Sequence, residues 1–329
     1  MALMPSLGQL KGLQLKYLAF LTGSASTGTK AALQAALSKS LEDDVPKASS
    51  RIVSVDMGIR NLAYCVVNAK HLSEAGKPSR LLTVSTWTRR DLLTPAAPEV
   101  SPLHESDMEC QPSPGKIGKQ KLDTEAFAPP QLAKTAHNLV KTLLSHKPDV
   151  ILIERQRFRS GGAAAIQEWT VRVNMLESML WASLETIRAS KLHQDAFPKI
   201  LAVAPKRVAE FWLSGQQPIV TSSQDVFALG AAQSTTQRPA RTKIEKKDKV
   251  DLVQKWVAGS LNETGTSVQF EAQAAEVAKA FSEQNKRGAK KIAGGKLDDL
   301  ADCLLQASAY LQWEENKLLL RRMVLNTQL

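Results

Sequence analysis

Apolar and polar positions follow two different rhythms along the chain. Residues 51–57 (RIVSVDM), 61–68 (NLAYCVVN) and 81–88 (LLTVSTWT) are rich in β-branched and aromatic side chains. Runs of that type at this spacing predict three strands in an antiparallel meander. Residues 149–154 (DVILIE) and 199–204 (KILAVA) are short, continuously apolar runs. Such runs suit parallel strands buried on both faces. Helical spacing appears at 131–145 and at 163–189, where Ile166, Trp169, Val173, Leu176, Leu180 and Leu184 share a stripe. It returns at 205–213, opened by Pro205, then at 250–257 and 297–320.

The order β-β-β-α-β-α-β-α defines an α/β fold: a ribonuclease H-like mixed five-stranded sheet flanked by helices. Two stretches break the rhythm. Residues 92–130 hold seven prolines and little periodicity, and residues 214–242 are rich in Ser, Gln and Thr. Both are expected to be insertions on the surface of a domain spanning 50–325. Residues 1–45 form a separate small block. Leu10, Leu13, Leu15, Leu18 and Leu21 precede a Gly-containing turn, and Leu33 and Leu37 lie four apart in a second short helix. Two such helices are too little for a stable core unaided.

Charge narrows the partner. Forty-three Lys and Arg stand against thirty-two Asp and Glu, a net charge of +11, which points to a polyanion. No apolar run is long enough to span a bilayer, so no membrane role is expected. Cys65, Cys110 and Cys303 are odd in number and far apart, which argues for a reducing compartment rather than a disulfide framework. The histidines are too dispersed for a structural zinc site. Residues 1–41 carry four lysines and no acid. That is one mark of a mitochondrial leader, although arginine is missing from the stretch.

The candidate chemistry is carried by carboxylates. Asp56 ends the first strand and Glu154 the fourth, while Asp298, Asp299 and Asp302 open the last helix. Spacings of three and four put Asp302 on one helical face with Asp299 or Asp298. Taken singly, Asp56 is a turn residue, Glu154 an ion-pair partner and Asp298–Asp299 an acidic first turn. Asp302 differs, because it lies inside an apolar stretch where an unpaired carboxylate is rare. Together, in this topological order, Asp56, Glu154, Asp298 and Asp302 form a candidate site for magnesium, with manganese able to substitute. Two such ions can activate a water and stabilise the leaving oxygen of a phosphodiester. Beside Glu154, Arg155, Arg157 and Arg159 alternate and would project together from an extended segment, with Phe158 available to stack on a base. Residues 286–296, with Lys290 and Lys291, and residues 241–249 are expected to make non-specific phosphate contacts.

These motifs resemble the fungal mitochondrial Holliday junction resolvases, relatives of the bacterial RuvC-type resolvases. The matching segments are VSVDMGIRN at 53–61, IERQRFRS at 153–160, VAPKRVAEFW at 203–212 and KLDDLADCL at 296–304. The first block resembles a SAP-type DNA-binding module, in which Lys30 of TGTK (27–30) would face phosphate. The resemblance implies a magnesium-dependent homodimeric endonuclease of the mitochondrial matrix that cuts four-way junction DNA by paired nicks. It also implies that Asp56, Glu154 and Asp302 are catalytic, with Asp298 or Asp299 as the fourth carboxylate. Three rivals share parts of the pattern. An actin-like ATPase needs a duplicated domain, and no second copy is visible in the sequence. Another ribonuclease H-like nuclease, or a non-catalytic mitochondrial DNA-binding protein, would share the carboxylates or the charge.

Overall fold

A computed structural model describes residues 7–42, 49–74, 77–93, 125–156, 168–190, 197–215, 244–260, 264–284 and 297–325. Its strands are β1 (Ser49–Asp56), β2 (Leu62–Glu74), β3 (Lys77–Arg90), β4 (Val150–Glu154), β5 (Lys199–Val203) and β6 (Ser267–Phe270). Its helices are α1 (Gly12–Thr22), α2 (Lys30–Glu42), α3 (Pro129–Ser145), α4 (Glu168–Ala189), α5 (Pro205–Leu213), α6 (Lys246–Val257), α7 (Ala272–Glu283) and α8 (Asp298–Leu325).

The strand order is β5-β4-β1-β2-β3-β6. The meander β1-β2-β3 is antiparallel, while β4, β5 and β6 join in parallel. The sheet therefore has six strands rather than the expected five. The extra one, β6, is four residues long and buries Val268 beside exposed Gln269. Its SVQF sequence has no continuous apolar run; backbone pairing to the edge of β3 sets its place, and Val268 and Phe270 then pack on the core, Phe270 with its ring centroid 5.4 Å from that of Trp87. Helix α7 follows it, with Ala274, Ala278 and Phe281 at helical spacing against that end of the sheet.

Strand parity sorts the core into two layers. Ile52, Cys65, Leu82, Val84 and Leu152 face α5, α6, α7 and α8. Val53, Val55, Tyr64, Val66, Ile151 and Ile153 face α3 and α4. Alternation along a strand sends neighbours to opposite faces. The expected insertion at 92–130 contributes to the second layer at its two described ends: Leu92 and Leu93 pack there, and Phe127 is buried under the Arg172 guanidinium, 3.9 Å from the ring centroid. Residues 94–124 and most of the second expected insertion lie outside the described residues.

Helix α8 is the spine of the first layer and is buried without interruption from Cys303 to Glu314. Side chains of the sheet and of α5 fasten it through its own groups. The Trp87 indole donates to the Leu300 carbonyl at 2.9 Å and the Trp212 indole to the Leu305 carbonyl at 3.0 Å. Gln306 donates to the Ser54 hydroxyl at 3.0 Å and to the Val55 carbonyl at 3.3 Å. Farther along, α8 seats the first two helices. Leu10, Leu15, Leu18, Leu21, Leu33 and Leu37 cluster with Leu320. Asn316 donates to the Leu21 carbonyl at 2.9 Å. Gly23 caps α1 at φ +65°, a backbone conformation suited to glycine, and lies flat on the Trp313 indole.

Candidate active site

Residue parity already decides where the acids go. Asp56 shares its face with Ile52 and Ser54, and Glu154 shares its face with Leu152, so both point toward α8. Strands β1 and β4 are parallel neighbours with Val55 opposite Ile153. The two acids therefore leave the sheet side by side. Gly58 lets the chain turn back at once after Asp56, since a Cβ there would sit 3.0 Å from the Asn61 backbone. The clamped first turns of α8 bring Asp302 across. One carboxylate oxygen each from Asp56, Glu154 and Asp302 lies within 4.8 Å of the others, and all three residues are half-buried.

Such crowding is electrostatically unfavourable on its own. Burial raises the Asp56 pKa well above the ordinary aspartate value, and the neighbouring Glu154 adds to the rise through its charge and a side-chain hydrogen bond. Like charges this close disfavour each other's ionised form, and a cation between them would relieve that cost. Burial also raises the pKa of Asp302, while Lys249 acts in the opposite direction. The Lys249 ammonium grips both oxygens of Asp302, at 2.7 and 2.9 Å.

Asp298 and Asp299 are placed differently. Asp298 pairs with Lys246, whose pKa is raised by that hydrogen bond. Asp299 pairs with Arg89 at 3.2 Å, and Arg89 also donates to the side-chain oxygen of Asn61. Neither belongs to the close trio, although the Asp299 charge still adds to the Asp56 shift. Lys246 and Lys249 stand three apart on α6, and Asp298 and Asp302 four apart on α8, so one helical face meets the other. Lys246 and Lys249 belong to the run at 241–249 expected to contact phosphate, and the matching spacing of the acids on α8 is the sequence signal for these pairs.

Beyond the trio, the Arg155 N–H donates to the Val203 carbonyl at 2.8 Å and the residue is exposed. The Gln156 N–H donates to Glu177 of α4 at 3.3 Å. Burial raises the Glu177 pKa, with the Gln156 bond and the Arg155 charge acting against it. Glu177 lies beside the apolar stripe of α4 and was not singled out by sequence. Lys30 is exposed at the start of α2, where Thr29 accepts the Ala32 N–H at 3.3 Å. Arg157, Phe158, Arg159, Lys290 and Lys291 lie outside the described residues.

The donor set suits a hard cation. Three clustered carboxylates, with lysines as their present counter-charges, are chemistry that divalent magnesium or manganese fits.

Comparison with known proteins points the same way. A family model described as "Mitochondrial resolvase Ydc2 / RNA splicing MRS1" matches residues 52–320. The mitochondrial cruciform cutting endonuclease 1 of Schizosaccharomyces pombe is 27% identical over 302 residues, covering 91% of this chain and 91% of that protein. The protein of the same name from Saccharomyces cerevisiae is 21% identical over 337 residues, covering 93% and 82% respectively. The crystal structure of the yeast mitochondrial Holliday junction resolvase Ydc2 superposes with a TM-score of 0.57 at 24% identity, covering 96% of this chain and 98% of that one. That likeness supports the fold: a mixed α/β sheet with helices on both faces.

Proposed function

The chain belongs to the mitochondrial resolvase Ydc2 / RNA splicing MRS1 family, and from that membership we propose that it is a structure-selective endonuclease that resolves four-way DNA junctions by paired symmetric nicks. The observation that carries the reading is the convergence of Asp56, Glu154 and Asp302 within 4.8 Å. Their crowding costs stability, and a protein that only bound nucleic acid would gain by replacing them.

Asp56, Glu154 and Asp302 would hold the cation, with magnesium as the proposed ion and manganese as its substitute. Bound there, magnesium supplies a Lewis acid for the phosphodiester and lowers the pKa of water. The protein does the rest. Glu154 and Asp56 would supply two of the carboxylate oxygens that hold the cation, and its charge would offset the repulsion that raises the Asp56 pKa. Lys249 and Lys246 neutralise Asp302 and Asp298 beforehand and offset the repulsion between α8 and the ends of β1 and β4. Arg89 holds Asp299 and ties it to the turn after β1 through Asn61. Arg155, exposed next to Glu154, is placed to contact a phosphate beside the cut, and Arg157 and Arg159 are proposed to extend that contact.

A junction has two-fold symmetry, so the reading includes a homodimer whose two sites face strands of like polarity. It also includes residence in the mitochondrial matrix and a SAP-like role for α1 and α2, with Lys30 on phosphate. No helix among the described residues is long and apolar enough to cross a membrane.

The family description also covers RNA splicing, which favours one second reading: an RNA-binding protein that does not cut. End-labelled four-way junction, linear duplex, RNA–DNA hybrid and structured RNA, each with magnesium and with EDTA, separate the two. Symmetric magnesium-dependent nicks on the junction alone are expected. Tight RNA binding without any cutting would overturn the nuclease reading.

A further inference from the structure

A cavity of about 130 Å³ lies between the end of α1, the outer edge of β5, the start of α5 and the second half of α8. The walls that matter are Gly23, Lys199, Arg207, Trp313, Glu314 and Lys317. Cationic side chains outnumber carboxylates in its lining: Lys199, Arg207 and Lys317 stand against Glu314. Arg207 spends one N–H on the Gly23 carbonyl, at 3.0 Å, out of the five a guanidinium carries. The Trp313 indole N–H is buried and meets no acceptor among the described residues. Glu314, the only carboxylate among the lining residues, is bound to Lys317 at 2.7 Å. Lys199 brings a further positive charge to the rim. Burial lowers the Arg207 pKa, and the nearby Arg155 charge acts the same way. Arg155 is exposed and outside the lining, yet its charge reaches Arg207, and an anion beside Arg207 would be favoured by both.

We propose that this cavity is a phosphate-binding subsite, separate from the carboxylate cluster, that takes a phosphate group through the Arg207 guanidinium and the Lys199 ammonium. The reading of the chain as a junction resolvase makes a backbone phosphate of a junction arm its natural occupant. β5 is the outermost strand of the sheet on that side. Its far end carries Lys199, and its near end pairs Val203 with Glu154. Four residues of strand span about 13 Å, so a strand of DNA leaving the cluster along this edge passes Arg155, then Arg207, then Lys199.

The test uses the full chain with calcium in place of magnesium, so that junction binding is read without cutting. Affinity is measured from 50 to 200 mM salt for wild type, Arg207→Met and Lys199→Gln, each checked for fold by circular dichroism. Lys199→Gln leaves the Gly23 contact intact and covers the case in which Arg207→Met fails to fold. Each variant is expected to bind the junction roughly tenfold more weakly and to flatten the log–log salt slope by about one unit, as the loss of one phosphate contact requires. A second arm melts wild type and variants in inorganic phosphate against chloride at equal ionic strength. A flattened slope identifies a nucleic-acid phosphate. An unchanged slope, with phosphate stabilising wild type and not the variants, identifies a free phosphate in the same subsite. Neither effect in a folded variant overturns the subsite. Wild type that binds no junction overturns the resolvase reading instead, and the phosphate arm still decides the cavity.

Discussion

At the scale of single residues, burial and crowding disfavour the charged form of Asp56, a cost that a bound cation would relieve. Asp56 has a folded-state pKa above its ordinary value of 3.8. The folded chain therefore binds more protons than the unfolded chain between those two values. Stability of the metal-free protein must rise as pH falls through the raised value toward 3.8, the reverse of a salt-bridged carboxylate. Thermal melts in EDTA at stepped pH should show that contribution, and saturating magnesium should remove it. Asp56→Asn removes the charge at neutral pH. It should abolish cleavage, spare junction binding and raise the metal-free Tm by about 2–4 °C. A lower Tm would mean that the crowding is already compensated. Lys249→Met takes away the ammonium that a cation must compete with at Asp302. Calorimetric titration with manganese should then show several-fold tighter binding, at the cost of a less stable metal-free fold.

At the scale of elements, α8 is the part that positions the chemistry. Gln306 reaches both the Ser54 hydroxyl and the Val55 carbonyl, two residues and one residue before Asp56. Gln306→Ala leaves the buried Ser54 hydroxyl without that partner, which costs about 1–3 kcal/mol. It should lower kcat more than it raises KM, because Asp302 loses its register against Asp56. Gly23→Ala is harsher: the position has φ +65°, and the added Cβ would lie 2.3 Å from the Trp313 ring. Denaturant melts should show a loss of about 2–4 kcal/mol. Much of this architecture was legible from the chain. The strands β1 to β5 were marked by their apolar rhythm, and the three acids by their positions at strand ends and on the last helix. Two kinds of feature were not legible. β6 takes its place by backbone pairing, which leaves little trace in its SVQF sequence. The partners of the acids, Lys246, Lys249 and Arg89, lie 52, 53 and 210 residues away in sequence. Their charges were visible, but the contacts are made only by the packing of α6 and β3 against α8.

At the scale of the whole molecule, a net charge of +11 surrounds a cluster of acids. Under the proposed reading, basic residues would bind the DNA and the acids would act only when they hold a cation, so binding and cutting should separate cleanly. The first two helices belong to the same fabric: Phe20 meets Phe211 at 5.3 Å, and the leucines of α1 and α2 close over Leu320. Deleting residues 1–42 would uncover Phe211, Trp313 and Leu320 together. The shortened chain should melt earlier and bind a hydrophobic dye before unfolding, rather than behave as a trimmed catalytic domain.

The long last helix has one further consequence, for how this lineage can vary. It presents Asp302 to the chemistry at one end and Trp313 to Gly23 at the other, with every residue between them buried. Removing or adding a single residue in that stretch would turn one end against the other by roughly 100° and shift it by about 1.5 Å. The acid and the indole could not then both face their partners. Insertions and deletions should accumulate in the connections around the sheet, while the interval between Asp302 and Trp313 keeps its length even where its side chains have changed.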